Sequence, residues 1–212
     1  MKFLNVIILL LSTSACMAVE VQQGQIYSGG TYVESRQTGV GLIIPRGWQG
    51  AWPQGAEAFV LESAALKANI FMSFEQGTEA GLRKLMSSPI PLDSSTQLIP
   101  ASRPKRTGNV YTANYTVAGA PQLTGFMAAQ ILPSSLGVAF IALSANAATK
   151  QQVNQVALRL ANGLTVKAPV PNQPAARSKG KSEFYQSGDA SIVSDGECTY
   201  FSSGAGSINT CD

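Results

Sequence analysis

The sequence holds no histidine in 212 residues. That absence removes the commonest general base and the commonest metal ligand, so Ser-His-Asp and Cys-His arrangements are excluded within the chain. Charge is scarce as well, with 13% charged residues against about 25% in ordinary soluble domains. Lys and Arg outnumber Asp and Glu by 15 to 12, a formal charge of +3. So small a surplus does not specify a polyanion, which argues against nucleic acid as a partner. No apolar run approaches the roughly 20 residues of a membrane-spanning helix. Cysteine is limited to Cys16, Cys198 and Cys211. What is present, 45% hydrophobic residues in a chain of this length, is enough to fill one core of ordinary size.

The first 18 residues read as an export signal. Lys2 supplies a positive start, Phe3 to Leu11 an apolar stretch interrupted by Asn5, and Ser12 to Ala18 a run of mostly small residues. Two cleavage readings compete. Thr13-Ser14-Ala15-Cys16 resembles a bacterial lipobox, although Thr13 stands where Leu is preferred, and would leave an acylated Cys16 at the mature N-terminus of an outer-membrane lipoprotein. Cleavage after Ala18 would instead release a periplasmic or secreted protein starting at Val19. Membrane association is expected only under the first reading. Both readings consume Cys16 and leave Cys198 and Cys211 as an even pair in an oxidising compartment, where a disulfide between them is expected.

Composition then divides the rest of the chain. Residues 19–167 alternate strand and helix signals. Ala168 to Lys181 carries three prolines and three basic residues with no apolar period, the signature of an extended linker. Residues 182–212 are rich in Ser and Gly, with short apolar pieces at Phe184-Tyr185, Ile192-Val193 and Tyr200-Phe201. So small a unit needs a staple, which the Cys198–Cys211 loop would supply at about 3 kcal/mol by chain entropy.

Within the body, Gly39 to Pro45 predicts a short buried strand closed by a Pro45-Arg46-Gly47 turn, with Trp48 covering its end. Strands are expected at 58–62 and 68–74, then a helix from Thr78 to about Ser87 with Ala80 or Leu82, Leu85 and Met86 inward. Loop 89–95 follows, then strands at 97–101, 109–117, 124–132 and 137–145. In the second of these, Tyr111, Ala113, Tyr115 and Val117 share one face and Thr112, Asn114 and Thr116 the wet one. Asn146 is expected to cap the longest helix, whose stripe is Val153, Val156, Ala157, Leu160 and Ala161 and whose stop is Gly163. The layout is α+β, a mostly antiparallel sheet covered by one helix from each half.

The GLIIPRGW strand and turn, the short helix after two strands, the Tyr-bearing strand 109–117 and the closing helix 146–163 resemble the PsbP-like α/β/α sandwich over about residues 38–167. That group includes extrinsic photosystem subunits and many small exported bacterial proteins. The resemblance implies fold and brings no catalytic motif. Metal binding through histidine, known in parts of the group, has no residue here to carry it.

Candidate chemistry is thin. Ser102 and Lys105 spell the S-x-x-K of Ser-Lys hydrolases, but Pro104 keeps Arg103 out of the helix that motif requires; Ser178 and Lys181 repeat the spelling in the linker. Glu34, Glu57, Glu62, Glu75, Glu79 and Asp93 are scattered over separate elements, with Glu79 suited to a first helical turn. Asp189, Asp195 and Glu197 lack the spacing of a calcium loop. Arg83, Lys84, Arg103, Lys105 and Arg106 read as a solvated helix face and loop. Phe184, Tyr185, Tyr200 and Phe201 are the candidate binding surface, since a small unit cannot hide them all. No catalytic residue, metal ligand or cofactor is assigned. The expectation is a non-enzymatic envelope protein that binds an envelope protein or glycan. The alternatives are an envelope hydrolase without a histidine-based site, or a secreted inhibitor or immunity factor.

Overall fold

The computed structural model describes residues 18–168, and in addition the backbone of four later strands, 183–187, 190–194, 198–203 and 206–211. In chain order the first strands are β1 (Val19–Glu20), β2 (Ile26–Ser28), β3 (Tyr32–Ser35), β4 (Val40–Ile43), β5 (Gln49–Ala51), β6 (Phe59–Ser63) and β7 (Ala68–Gln76), followed by helix α1 (Glu79–Met86). Then come β8 (Ile90–Pro91), β9 (Gln97–Pro100), β10 (Lys105–Thr107), β11 (Val110–Ala118), β12 (Thr124–Ile131) and β13 (Leu136–Ser144). Helix α2 (Lys150–Asn162) and β14 (Thr165–Val166) close the body, and β15 (Glu183–Ser187), β16 (Ala190–Ser194), β17 (Cys198–Ser203) and β18 (Gly206–Cys211) form a separate meander.

The main sheet has ten strands in the order β2-β5-β6-β7-β13-β12-β11-β9-β8, with β10 also on β11, and every pairing in it is antiparallel. Its two faces follow from the period of two along each strand. On β12 and β13, Phe126, Ala128, Val138, Phe140 and Ala142 join one core, while Met127, Ala129, Ala139 and Leu143 join another. Helix α2 packs on β11, β12 and β13 and gives the first core Val153, Val156, Ala157, Leu160 and Ala161, all buried. A small sheet, β1-β3-β4-β14, adds Val33, Val40 and Leu42 to that core. Helix α1 covers the opposite face with Leu82 and Met86. The architecture is the expected antiparallel sheet with a helix on each side.

Helix α1 is held at both ends. Thr78 Oγ1 accepts from the Gly81 amide at 3.2 Å, and Glu79 opposes the dipole in the first turn. At the far end the buried Tyr115 hydroxyl donates to the Met86 carbonyl at 2.8 Å, one of the acceptors a helix terminus leaves without an intrahelical donor. Burial pushes the Tyr115 phenol up to about 12.

Several expectations are corrected. Residues 105–107, read as a solvated loop, form β10, an exposed hairpin arm paired with β11 across a turn in which Gly108 has φ +61°. Loop 89–95 contains β8. Leu85, expected inward, is 38% exposed, because so short a helix turns only Leu82 and Met86 fully onto the sheet. Asn146 does not cap α2. Its Oδ1 accepts from the Ala148 amide in a preceding turn, and the N-cap is Thr149, which makes no side-chain cap bond. Strand β4 is buried at Val40, Leu42 and the following Ile44, but Ile43 is 60% exposed.

Candidate functional site

That exposed isoleucine borders a concavity of the body. Strand β4 runs into Pro45, which fixes φ for a turn, and Gly47 at φ +80° supplies the left-handed position, with the Trp48 amide donating to the Pro45 carbonyl at 3.1 Å. The turn therefore buries Trp48 and lifts Arg46 to its exposed tip. Two contacts fix it in place. Ser63 at the end of β6 donates to the Gly47 carbonyl at 2.9 Å. Gly29 lies so close beneath that a Cβ there would fall 2.7 Å from the Pro45 carbonyl oxygen.

Opposite the turn stands α2. Its inward stripe fills the core, while Gln152, Val156, Arg159 and Gly163 follow one another at i, i+4, i+7 and i+11 along the groove. Ala65 and Leu66 of the β6–β7 hairpin close one end, and Thr149 Oγ1 ties that hairpin to the start of α2 by donating to the Leu66 carbonyl at 3.1 Å. The result is a half-open groove of about 560 Å³ between β4, the Pro45–Trp48 turn, the hairpin and α2. This size is usual for a small-molecule site. Leu42, Ile43, Leu66, Val156 and Leu160 make its surface apolar. Among the described residues that line it, the ionisable side chains are Arg46 and Arg159, one on each wall.

Among the described residues those two guanidiniums have no carboxylate partner. The ion pairs among the described residues are Arg36–Glu20, Arg106–Glu79 and Lys167–Glu34. Arg159 donates only to the Gln155 carbonyl, at 3.3 Å in its own helix. Arginine keeps its charge at any physiological pH. The groove can thus hold an anion, but its ionisable groups cannot exchange a proton.

The residues singled out in the sequence lie elsewhere. Arg106 contacts Glu79 at 3.0 Å and sits 5.4 Å over the Tyr111 ring, while Arg83 and Lys84 occupy the last turn of α1. Ser102 Oγ accepts from the Asn114 amide at 3.0 Å in a non-helical segment, as the reading against S-x-x-K required. Glu34 is bonded to Lys167 and Tyr32; the bond from Lys167 holds its carboxyl below the ordinary value and raises that of the amine. Around Asp93, desolvation opposes ionisation, but bonds from Ser95 and Thr96 outweigh it and lower the pKa. No group of three or more potential metal ligands occurs among the described residues.

In the C-terminal meander Cys198 stands directly opposite Cys211 in the β17–β18 register. Tyr185 pairs with Ile192 and Ile192 with Phe201, while Phe184 pairs with Val193 and Val193 with Tyr200. The side chains of these residues, together with Cys16, Ser178, Lys181, Asp189, Asp195 and Glu197, lie outside the described residues.

No protein-family model and no curated protein matches the chain. Among solved structures it is similar to the solution structure of cyanobacterial PsbP (CyanoP) from Synechocystis sp. PCC 6803, at 14% identity, covering 68% of this chain and 92% of that one with a TM-score of 0.43. The likeness is one of fold. Arg46 entered the sequence reading only as part of a turn, and Arg159 not at all. The available signals were the Pro-x-Gly turn that raises the first and the helical stripe beside the second, and nothing local joins them.

Proposed function

We propose that this is an exported, non-enzymatic accessory protein of the cell envelope whose body binds another envelope component in the groove between α2 and the Pro45–Trp48 turn. The observation that carries this reading is the lining: apolar side chains and two arginines, a composition suited to binding and lacking any group that moves protons near neutral pH. Export is supported by the leader pattern, and Val19 is the first residue of a strand, β1, pairing with Val33 of β3. A mature chain beginning at Val19, or at an acylated Cys16, keeps that pairing. The four-stranded meander, clasped by a Cys198–Cys211 disulfide, offers further contact residues to an envelope protein or glycan, with Phe184 and Tyr200 in one cross-strand row and Tyr185 and Phe201 in the row of the opposite face.

Cell fractionation with N-terminal sequencing and fatty-acid labelling tests this reading. The expected result is a processed chain in the envelope or periplasm, starting at residue 19 or blocked at Cys16. An uncut leader on a cytoplasmic protein overturns it. Among the described residues no helix is long and apolar enough to cross a membrane.

A further inference from the structure

The proposed groove can be given a ligand class, an inference that rests on the reading just stated. Two features have to be satisfied at once. The first is charge: Arg46 on the turn and Arg159 on α2 line one groove without a carboxylate partner among the described residues, so a bound molecule that brings an anion completes both. The second is the apolar surface between them, where exposed Ile43 and half-buried Leu66 stand over a floor of the buried Leu42, Val156 and Leu160. Ile43 is 60% exposed, a large apolar surface facing solvent next to two charges.

A peptide fits poorly. Each of its residues would carry an amide N–H and a carbonyl into the groove, and these need partners once desolvated. Strand β4, the wall that would pair with an extended segment, has β3 along one edge and β14 on the other at Val40 and Gly41, which leaves only Leu42 and Ile43 for strand addition, too short a stretch to hold a peptide by its backbone. The Ser63 hydroxyl is committed to the Gly47 carbonyl. A hydrocarbon chain makes no such demand. It needs only apolar contact, and a planar carboxylate at its end matches the guanidinium fork. We infer that the groove binds a single-chain carboxylate amphiphile, a fatty-acid-like molecule whose chain lies along Ile43, Leu66 and Val156 and whose head is held by Arg46 and Arg159.

The test is calorimetric titration of the purified full-length protein with laurate below its micelle concentration, beside dodecanol, which lacks the charge, and acetate, which lacks the chain. One-to-one laurate binding is expected, with dodecanol weaker by about tenfold or more and acetate silent. Arg46→Gln with Arg159→Gln should weaken laurate by about tenfold or more. Ile43→Asp should do so too, by placing a like charge beside the chain. All three side chains are exposed, and unchanged melting curves would establish that the variants fold. Equal binding of laurate and dodecanol, or full affinity in the double arginine variant, overturns the inference. A blocked hexapeptide with a free, apolar-flanked C-terminal carboxylate separates the two levels of the argument. If the peptide binds through Arg46 while laurate does not, the ligand is a protein and only this inference falls. If neither binds, the groove is not a binding site.

Discussion

Tyr115 shows how much a single hydroxyl can carry in this molecule. It lies in the middle of β11, on the face covered by α1, and its donor reaches the last carbonyl of that helix. Removing the oxygen leaves the Met86 carbonyl buried against an aromatic edge with no donor in its place. Tyr115→Phe is therefore expected to cost about 1–2 kcal/mol, read as a lowered midpoint in urea with the slope unchanged. In the intact protein the same burial delays ionisation, so alkaline absorbance titration should show one tyrosine that loses its proton only near pH 12. If Tyr115→Phe leaves both the midpoint and that late-titrating step in place, the phenol is not the anchor of α1. The residue scale is also where the sequence was most informative. The alternation of Tyr111, Ala113, Tyr115 and Val117 against Thr112, Asn114 and Thr116 needs no knowledge of the fold, since a strand with one wet face writes that period directly.

Among the elements, β14 is only two residues long and lies at the edge of the small sheet. Side chains secure what so few backbone bonds cannot: Lys167 bonds Glu34, and the Tyr32 hydroxyl lies 3.0 Å from that carboxylate and 2.7 Å from Thr165 Oγ1. The folded pKa of Glu34 is depressed, so its contribution is present above the ordinary carboxylate value of 4.5 and is lost as pH falls through the lower folded value. Lys167 is raised, so its share is present below 10.5 and is lost as pH climbs through the higher folded value. The melting temperature of Glu34→Gln should lie below that of the parent at neutral pH and converge with it in acid. A gap that persists below pH 3 would assign the effect to shape rather than charge. Short strands such as β1, β2, β5, β10 and β14 were also the least legible from sequence. Two or three residues cannot display a period, and their pairing is decided by a neighbour across space. Helix α2 was legible in its stripe, but its start was not, because Asn146 spends its side chain on the turn ahead and the helix begins at Thr149. The groove suffered the same blindness: Arg46 and Arg159 are each an ordinary surface arginine until β4 and α2 are placed side by side.

For the whole molecule, the division expected from the composition of residues 168–181 makes a direct prediction. The body closes on itself at Lys167, whose amide donates to the Gly39 carbonyl at 2.7 Å. A chain ending after Ala168 should melt cooperatively and near the temperature of the parent, while unfolding of the truncated chain would show that the meander completes the core. Under the proposed export, thiol counting on the native protein should find Cys198 and Cys211 unreactive until a reductant is added, as their facing positions on β17 and β18 allow. Free thiols in the native exported protein would remove the clasp from the account.

The central position of β13 has a consequence for the proposed export. It pairs with β12 on one edge and with β7 on the other, so the segment 68–76 leaves the ribosome with one flank open until 136–144 has followed. Joining the two requires closing a long loop, which is slow. A polypeptide that is late to zip its middle stays threadable, which is what the proposed export through a translocation pore requires.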